Sequence, residues 1–349
     1  MKLRYITTYA GLLAGAVLTL LTAPVQAASL GFTVTSITLE PLVDSPDSTV
    51  NGITYLNQSL PISGLTANSV DWTPGGFPTP VVTLRRGGYA ATDDFGNFND
   101  RQVISGERLP GDPVTTLRTP QPTTAQAALS QNNILLAVDN VFVNAGYING
   151  IQTDIERVDF VISSGVKTSP KRAITIFERG PNTAHDAFQI APILSIDSAG
   201  NPTSYGSLLS INAGWGQTNL RPGGAAGNNL DYTILTNSSG AFSNVLSVSQ
   251  QIGGLLIPLS ELAATSTAIY GYSLFAPDVN DESNPANLLD WTNAAVFPQN
   301  TPNSIGGLDL TAFNAGVVET VPEPASVLGL LALGTLGMGS ALKKKKASD

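Results

Sequence analysis

Apolar, β-branched segments of five to ten residues recur along most of the chain, each closed by a cluster of Gly, Pro or Asn. That spacing suits strands, which need four to eight residues, and interrupts the longer 3.6-residue periodicity an amphipathic helix requires. It predicts strands at Thr33–Leu39, Val81–Arg85, Ile134–Val143, Ile155–Ile162, Ala173–Phe177, Phe188–Ile196, Ser207–Ile211, Tyr232–Leu235, Leu255–Pro258 and Ile269–Phe275. Alternation is clearest where Tyr270, Tyr272 and Leu274 stand against Gly271 and Ser273. Helix is confined to short turns, Ala125–Leu129 behind a Thr124 cap and Leu259–Leu262. The expected class is all-β, a β-sandwich or jelly-roll-like body; a parallel β-helix would need a short fixed repeat that the sequence lacks.

No cysteine is present, which removes a disulfide framework, a thiolate metal site and a cysteine nucleophile together. Stability must come from packed cores, for which the roughly 290 residues between the two ends are ample. The stretch Glu107–Asn133, with Pro110, Pro113, Pro120 and Pro122, is either an internal boundary or a long surface connection. Residues 28–321 carry 11 Lys or Arg against 24 Asp or Glu, a formal charge of −13. Such a surface repels nucleic acid and favours cations.

Both ends carry addresses. Lys2 and Arg4 precede an apolar stretch from Ala10 to Ala23 and the small-residue site Val25-Gln26-Ala27, a signal-peptide pattern cut after Ala27. At the other end, Pro322-Glu323-Pro324 leads into an apolar run, Val327–Leu342, followed by Lys343, Lys344, Lys345 and Lys346. Extended to residue 325, the run is long enough for a marginal transmembrane helix at 325–342, and the lysines place its far end on the cytoplasmic side. Residues 321–349 resemble the PEP-CTERM sorting signal of exopolysaccharide-producing bacteria. The resemblance implies recognition by a membrane-embedded exosortase, cleavage near Pro322–Pro324, and release or attachment at the cell surface. It implies nothing about the ectodomain, residues 28–320.

Within that ectodomain two loops are rich in side-chain oxygen: Asp93, Asp94, Asn97, Asn99 and Asp100, and Asp278, Asn280, Asp281 and Glu282. Each is either a Ca²⁺ loop, since hard cations take six to eight oxygens, or a solvated Asx-rich turn. An EF-hand is not indicated, for want of its twelfth-position glutamate. Trp215, between Gly214 and Gly216 and four residues before Asn219, is the aromatic singled out for ligand contact; stacking on a sugar and packing in the core both remain open for it. Glu178 and Asp186 are the carboxylates a glycosidase would use, although a strand-end ion pair of Glu178 with Arg172 or Arg179 is the simpler expectation. His185 is the only histidine, and no Gly-x-Ser-x-Gly element accompanies it. The expectation is a non-enzymatic surface or matrix protein associated with exopolysaccharide. A secreted carbohydrate-active enzyme and a self-associating surface-layer protein are the alternatives.

Overall fold

A computed structural model describes residues 30–86, 92–93, 103–108, 111–113, 115–121, 126, 129, 133–137, 147–148, 151–152, 155–180, 186–216, 220, 230–238, 241–280, 284–298, 308 and 311–321. The thirteen-residue strand Ile155–Lys167 shows how the sequence pattern becomes layers. Its Ile155, Val158, Phe160 and Ile162 enter one core, whereas Val161 enters another on the opposite face. The strand pairs antiparallel with Ala268–Phe275 on one side and Val81–Arg86 on the other. Phe188–Ile196 lies beyond Ala268–Phe275 and carries both Pro202–Tyr205 and Leu209–Ile211; Thr92–Asp93 closes the opposite edge of this seven-stranded sheet.

A second sheet runs, in spatial order, Phe32–Leu39, Ile62–Ala67, Val70–Pro74, Thr311–Thr320, Arg172–Gly180, Ala241–Pro258, Leu230–Ser238 and Val103–Arg108. Its first strand has two partners: Phe32 and Thr33 pair with Leu256 and Leu255, and the remainder with Ile62–Ala67. The hydrogen-bonded path from Phe32–Leu39 to Ala241–Pro258 therefore returns on itself and closes six strands into a ring. Closure removes the free strand edges that an open sheet would present.

Three cores follow from these layers. Between the sheets lie Phe160, Ile174, Ile176, Leu255, Ile257, Val317 and Phe188. All six ring strands contribute to a second core, from Val34, Ile62, Leu65, Trp72, Val318, Phe177, Ile252 and Leu256, so it fills the inside of the ring. A third covers the outer face of the seven-stranded sheet, where Val161, Ile193 and Phe275 meet Leu288, Val296 and Phe297. Alternate residues of one ring strand thus serve two cores, Ile174 and Ile176 facing outward and Ala173 and Phe177 inward.

The described residues bear out the all-β expectation, with Phe188–Ile196 as predicted and most other predicted strands lengthened. Ile134–Val143 is a correction: Ile134–Ala137 is a helical turn, and residues 138–143 lie outside the described residues. Asn133 is the cause, since its Oδ1 accepts from the Leu135 N–H at 3.0 Å and curls the chain as an Asx cap does. Leu259–Leu262 is helical as predicted. So are Gln126 and Leu129. The described part of the Pro-rich 107–133 stretch is bonded to its surroundings: Thr116–Leu117 pairs parallel with Ile53–Tyr55, and Gln126 Oε1 accepts from the Val82 N–H. Among the described residues no helix is long and apolar enough to cross a membrane; the 325–342 run lies outside them.

The sheet centre has one position only glycine can fill. Gly271 has φ +116°, and a Cβ there would stand 1.9 Å from the Phe160 carbonyl oxygen. Gly271→Ala is expected to cost about 3 kcal/mol or more, read as a lowered urea midpoint, because backbone cannot yield as a side chain does. An unchanged midpoint would contradict this packing.

Candidate functional site

A cleft of about 740 Å³ opens between the start of the Phe32–Leu39 strand and the Leu209–Trp215 segment at the edge of the other sheet. Leu30, Phe32, Leu209, Ile211, Leu255 and Trp215 give it an apolar lining, and Thr33, Thr35, Asn68, Ser210 and Asn212 a neutral polar one. Among the described residues no charged side chain lines it. Thr33, Thr35, Asn68 and Asn212 are exposed at the mouth.

Trp215 lies at the back of this cleft and is 9% exposed. Its ring meets Phe188 edge-on at 5.6 Å, and its indole Nε1 donates to the Asp186 carbonyl at 2.7 Å. The flanking glycines do not hold the ring out. Gly216, at φ +60°, lets the chain pass Gly254, whose backbone a Cβ would meet at 2.9 Å. Of the two readings open for Trp215, core packing holds for most of the ring, and the remainder forms cleft wall. Asn219 lies outside the described residues.

Glu178, 4% exposed, accepts the Asp186 N–H at Oε2, 2.8 Å away. The expected ion pair with Arg172 is not formed: Arg172 Nε instead donates to Glu319 Oε1 at 2.7 Å, across adjacent strands. Glu178 thus reaches the loop ahead of Phe188–Ile196, whose Asp186 carbonyl in turn holds Trp215. The carboxylate supports the wall of the cleft from behind. His185 and the Arg179 side chain lie outside the described residues.

Of the first oxygen-rich loop, Asp93 ends a short strand and pairs with Leu84, while Asp94, Asn97, Asn99 and Asp100 lie outside the described residues. Of the second, Asp278 is half-buried in a turn, Asn280 is exposed with its N–H on the Val296 carbonyl, and Asp281 and Glu282 lie outside. Among the described residues no group of three or more His, Cys, Asp or Glu side chains is placed to hold a metal ion.

Among the described residues a buried cluster of charge lies elsewhere, on the outer face of the seven-stranded sheet, and the strand pattern gave no warning of it. Asp159, wholly buried, accepts from Arg157 Nη2 at 3.1 Å, Tyr205 Oη at 3.1 Å and Ser273 Oγ at 2.6 Å, and lies 3.4 Å from Arg85 Nε. Arg157 Nη1 donates onward to the Leu288 carbonyl at 2.6 Å, and both guanidiniums lie over the Trp291 ring, at 5.0 and 4.3 Å. Burial opposes the charge of Arg157, yet attraction to Asp159 holds its pKa above the ordinary value. For Arg85 burial prevails, helped by repulsion from Arg157, and the pKa falls. Burial and the Asp159 charge push the Tyr205 hydroxyl well above its usual value, keeping it a neutral donor. The cluster pins the 285–291 segment onto the sheet. Asp-Trp-Thr occurs at both 71–73 and 290–292, and the two tryptophans differ in role: Trp72 packs inside the ring, whereas Trp291 roofs the arginines.

At the far end of the fold the last strand leaves no slack. Thr311–Thr320 is paired on both sides, with Arg172–Gly180 and with Val70–Pro74. The Thr320 N–H donates to the Lys171 carbonyl at 3.1 Å and the Val321 N–H to the Asp71 carbonyl at 2.9 Å. Pro322 follows at once. The protein is an all-β body whose central C-terminal strand runs straight into a Pro-Glu-Pro tail. Residues 320–345 match the PEP-CTERM protein-sorting motif, taking in Pro322, Glu323, Pro324 and Lys343 to Lys345 and stopping one residue short of Lys346. The chain therefore carries that motif, which implies export, surface sorting and processing by an exosortase. No curated protein matches the chain, and no solved structure matches it.

Proposed function

We propose that this is a non-enzymatic surface or extracellular-matrix protein. It is exported by its N-terminal signal peptide, anchored transiently by residues 325–342 with Lys343–Lys346 in the cytoplasm, and associated after processing with the producing cell's exopolysaccharide. The observation that carries the binding role is the neutral cleft beside Trp215. An apolar floor with a few placed hydroxyl and amide groups at its rim is the usual composition of a site for an uncharged, hydroxyl-rich ligand. Because none of the described residues lining it is charged, retention on the cell's own polysaccharide is expected to be the same with Ca²⁺ and with chelator. Asn68→Ala and Asn212→Ala are each expected to weaken retention about fivefold, the worth of one hydrogen bond. Retention that requires Ca²⁺ would move the site to the Asp93–Asp100 or Asp278–Glu282 loops. No retention under either condition would remove the polysaccharide from the reading.

A further inference from the structure

We propose that the sheet end from which the sorting tail emerges is a membrane-facing surface, and that Lys167 and Lys171 on its turn contact the headgroups of anionic lipid while the tail is still anchored. This rests on the reading above that residues 325–342 insert in the membrane.

The body is hydrogen-bonded through Val321, so only residues 322–326 separate it from the apolar run beginning at Val327. Five residues span at most about 17 Å even when fully extended. The end of the Thr311–Thr320 strand is therefore held within that distance of the bilayer, and its immediate neighbours with it. Those neighbours are the turn joining Ile155–Lys167 to Arg172–Gly180, whose Lys171 carbonyl accepts the Thr320 N–H, and Asp71, whose carbonyl accepts the Val321 N–H.

A body of net charge −13 is repelled by an anionic surface, so the end it turns to the membrane matters. This turn carries Lys167, Lys171 and Arg172 within six residues, a quarter or more of the 11 basic residues of the body. Lys167 and Lys171 are exposed. Three acidic groups belong to the same end, Glu319, Asp71 and Glu261, the last on the helical turn after Pro258, where its Oε2 accepts the Gly31 N–H at 2.8 Å. Glu319 is paired with Arg172, and the Asp71 carboxylate accepts the Thr66 hydroxyl at 2.8 Å. Lys167, Lys171, Arg172 and Glu319 also line a shallow hollow of about 410 Å³ with Ser169 and Thr320, directly beside the exit.

The chain has no native cysteine, so single labels can be introduced into the full-length protein. A fluorophore is placed at Ser169→Cys, on the turn. A control is placed at Ala294→Cys, exposed beside the Trp291 end of the other sheet, roughly 23 Å from Lys167 as counted along the paired strand from Phe275 to Ala268. The full chain is reconstituted in vesicles of phosphatidylcholine, with or without phosphatidylglycerol, carrying a headgroup-linked quencher, and flotation is recorded. The expected result is flotation in both, with the Ser169 label quenched more strongly in phosphatidylglycerol vesicles and the Ala294 label quenched in neither. Each of Lys167→Glu and Lys171→Glu is expected to reduce the lipid-dependent part about fivefold or more, since a lysine near an anionic surface contributes roughly that factor, and high salt to do the same. Flotation with equal quenching at both labels, or quenching indifferent to the two lysines, overturns the surface while leaving the anchor standing. A chain that does not float overturns both.

Discussion

Replacing Asp159 with alanine is expected to lower the stability of the folded body by about 3–5 kcal/mol, read from the urea midpoint, with the transition less cooperative around the 285–291 segment. The size follows from what the carboxylate holds. It is the carboxylate in direct contact with two buried guanidiniums, Arg157 at 2% exposure and Arg85 at 6%, and the acceptor for Tyr205 and Ser273. Removing it leaves two like charges in a site from which water is excluded, and an unpaired buried charge is far costlier than a lost surface contact. The pair Arg172–Glu319 gives the scale for the latter, with side chains 32% and 40% exposed. Glu319→Ala is expected to cost under about 1 kcal/mol in the same measurement. Near-equal costs for the two variants would mean that the Asp159 cluster is solvated and that the 285–291 segment does not seal it.

The contrast between these two carboxylates also marks how far the sequence could be read. Strand positions were legible because β-branched runs bounded by turn residues leave few alternatives, as at Phe188–Ile196. The hairpin of Ile62–Ala67 and Val70–Pro74 was missed although its loop is only two residues, Asn68-Ser69, between the paired Ala67 and Val70. Both residues take left-handed φ, 51° and 60°, as such a turn demands, but serine stands where the recognisable signal has glycine. Arg157 and Asp159 were invisible for a different reason. Charges alternating with Val158 and Phe160 read as the wet face of a half-buried strand, and the segment that covers them comes from Leu288 to Trp291, more than a hundred residues later. At the cleft, Trp215 was legible as a residue of interest. Its burial depended on Phe188 and on the carbonyl of Asp186, a contact that local composition does not encode. The sorting motif was readable because its recognition lies in contiguous residues; that it abuts a central strand was not, since the pairing of Thr311–Thr320 joins segments at opposite ends of the chain.

That pairing sets the second large expectation. A chain ending at Leu308 is expected to lose cooperative folding altogether, whereas one ending at Val321 keeps it, measured as urea unfolding followed by near-ultraviolet circular dichroism. Thr311–Thr320 lies between Arg172–Gly180 and Val70–Pro74, so its loss opens the six-strand ring and exposes two new edges in the middle of the sheet. It also withdraws Val317 from the core between the sheets and Val318 from the core inside the ring. Each of those side chains contributes roughly 1.5–3 kcal/mol on burial, before the lost ladder bonds are counted. Against a total stability of about 5–15 kcal/mol, that is enough to abolish the fold. A cooperative transition in the shorter chain would show that the ring closes without its last strand. If the expectation holds, the body can complete its fold only once the residues up to Val321, immediately ahead of Pro322, have crossed the membrane. Cleavage at or beyond Pro322 then leaves every paired residue of that strand in place, and cleavage a few residues earlier would cut into it. The boundary between fold and signal therefore coincides with the upstream limit of harmless processing.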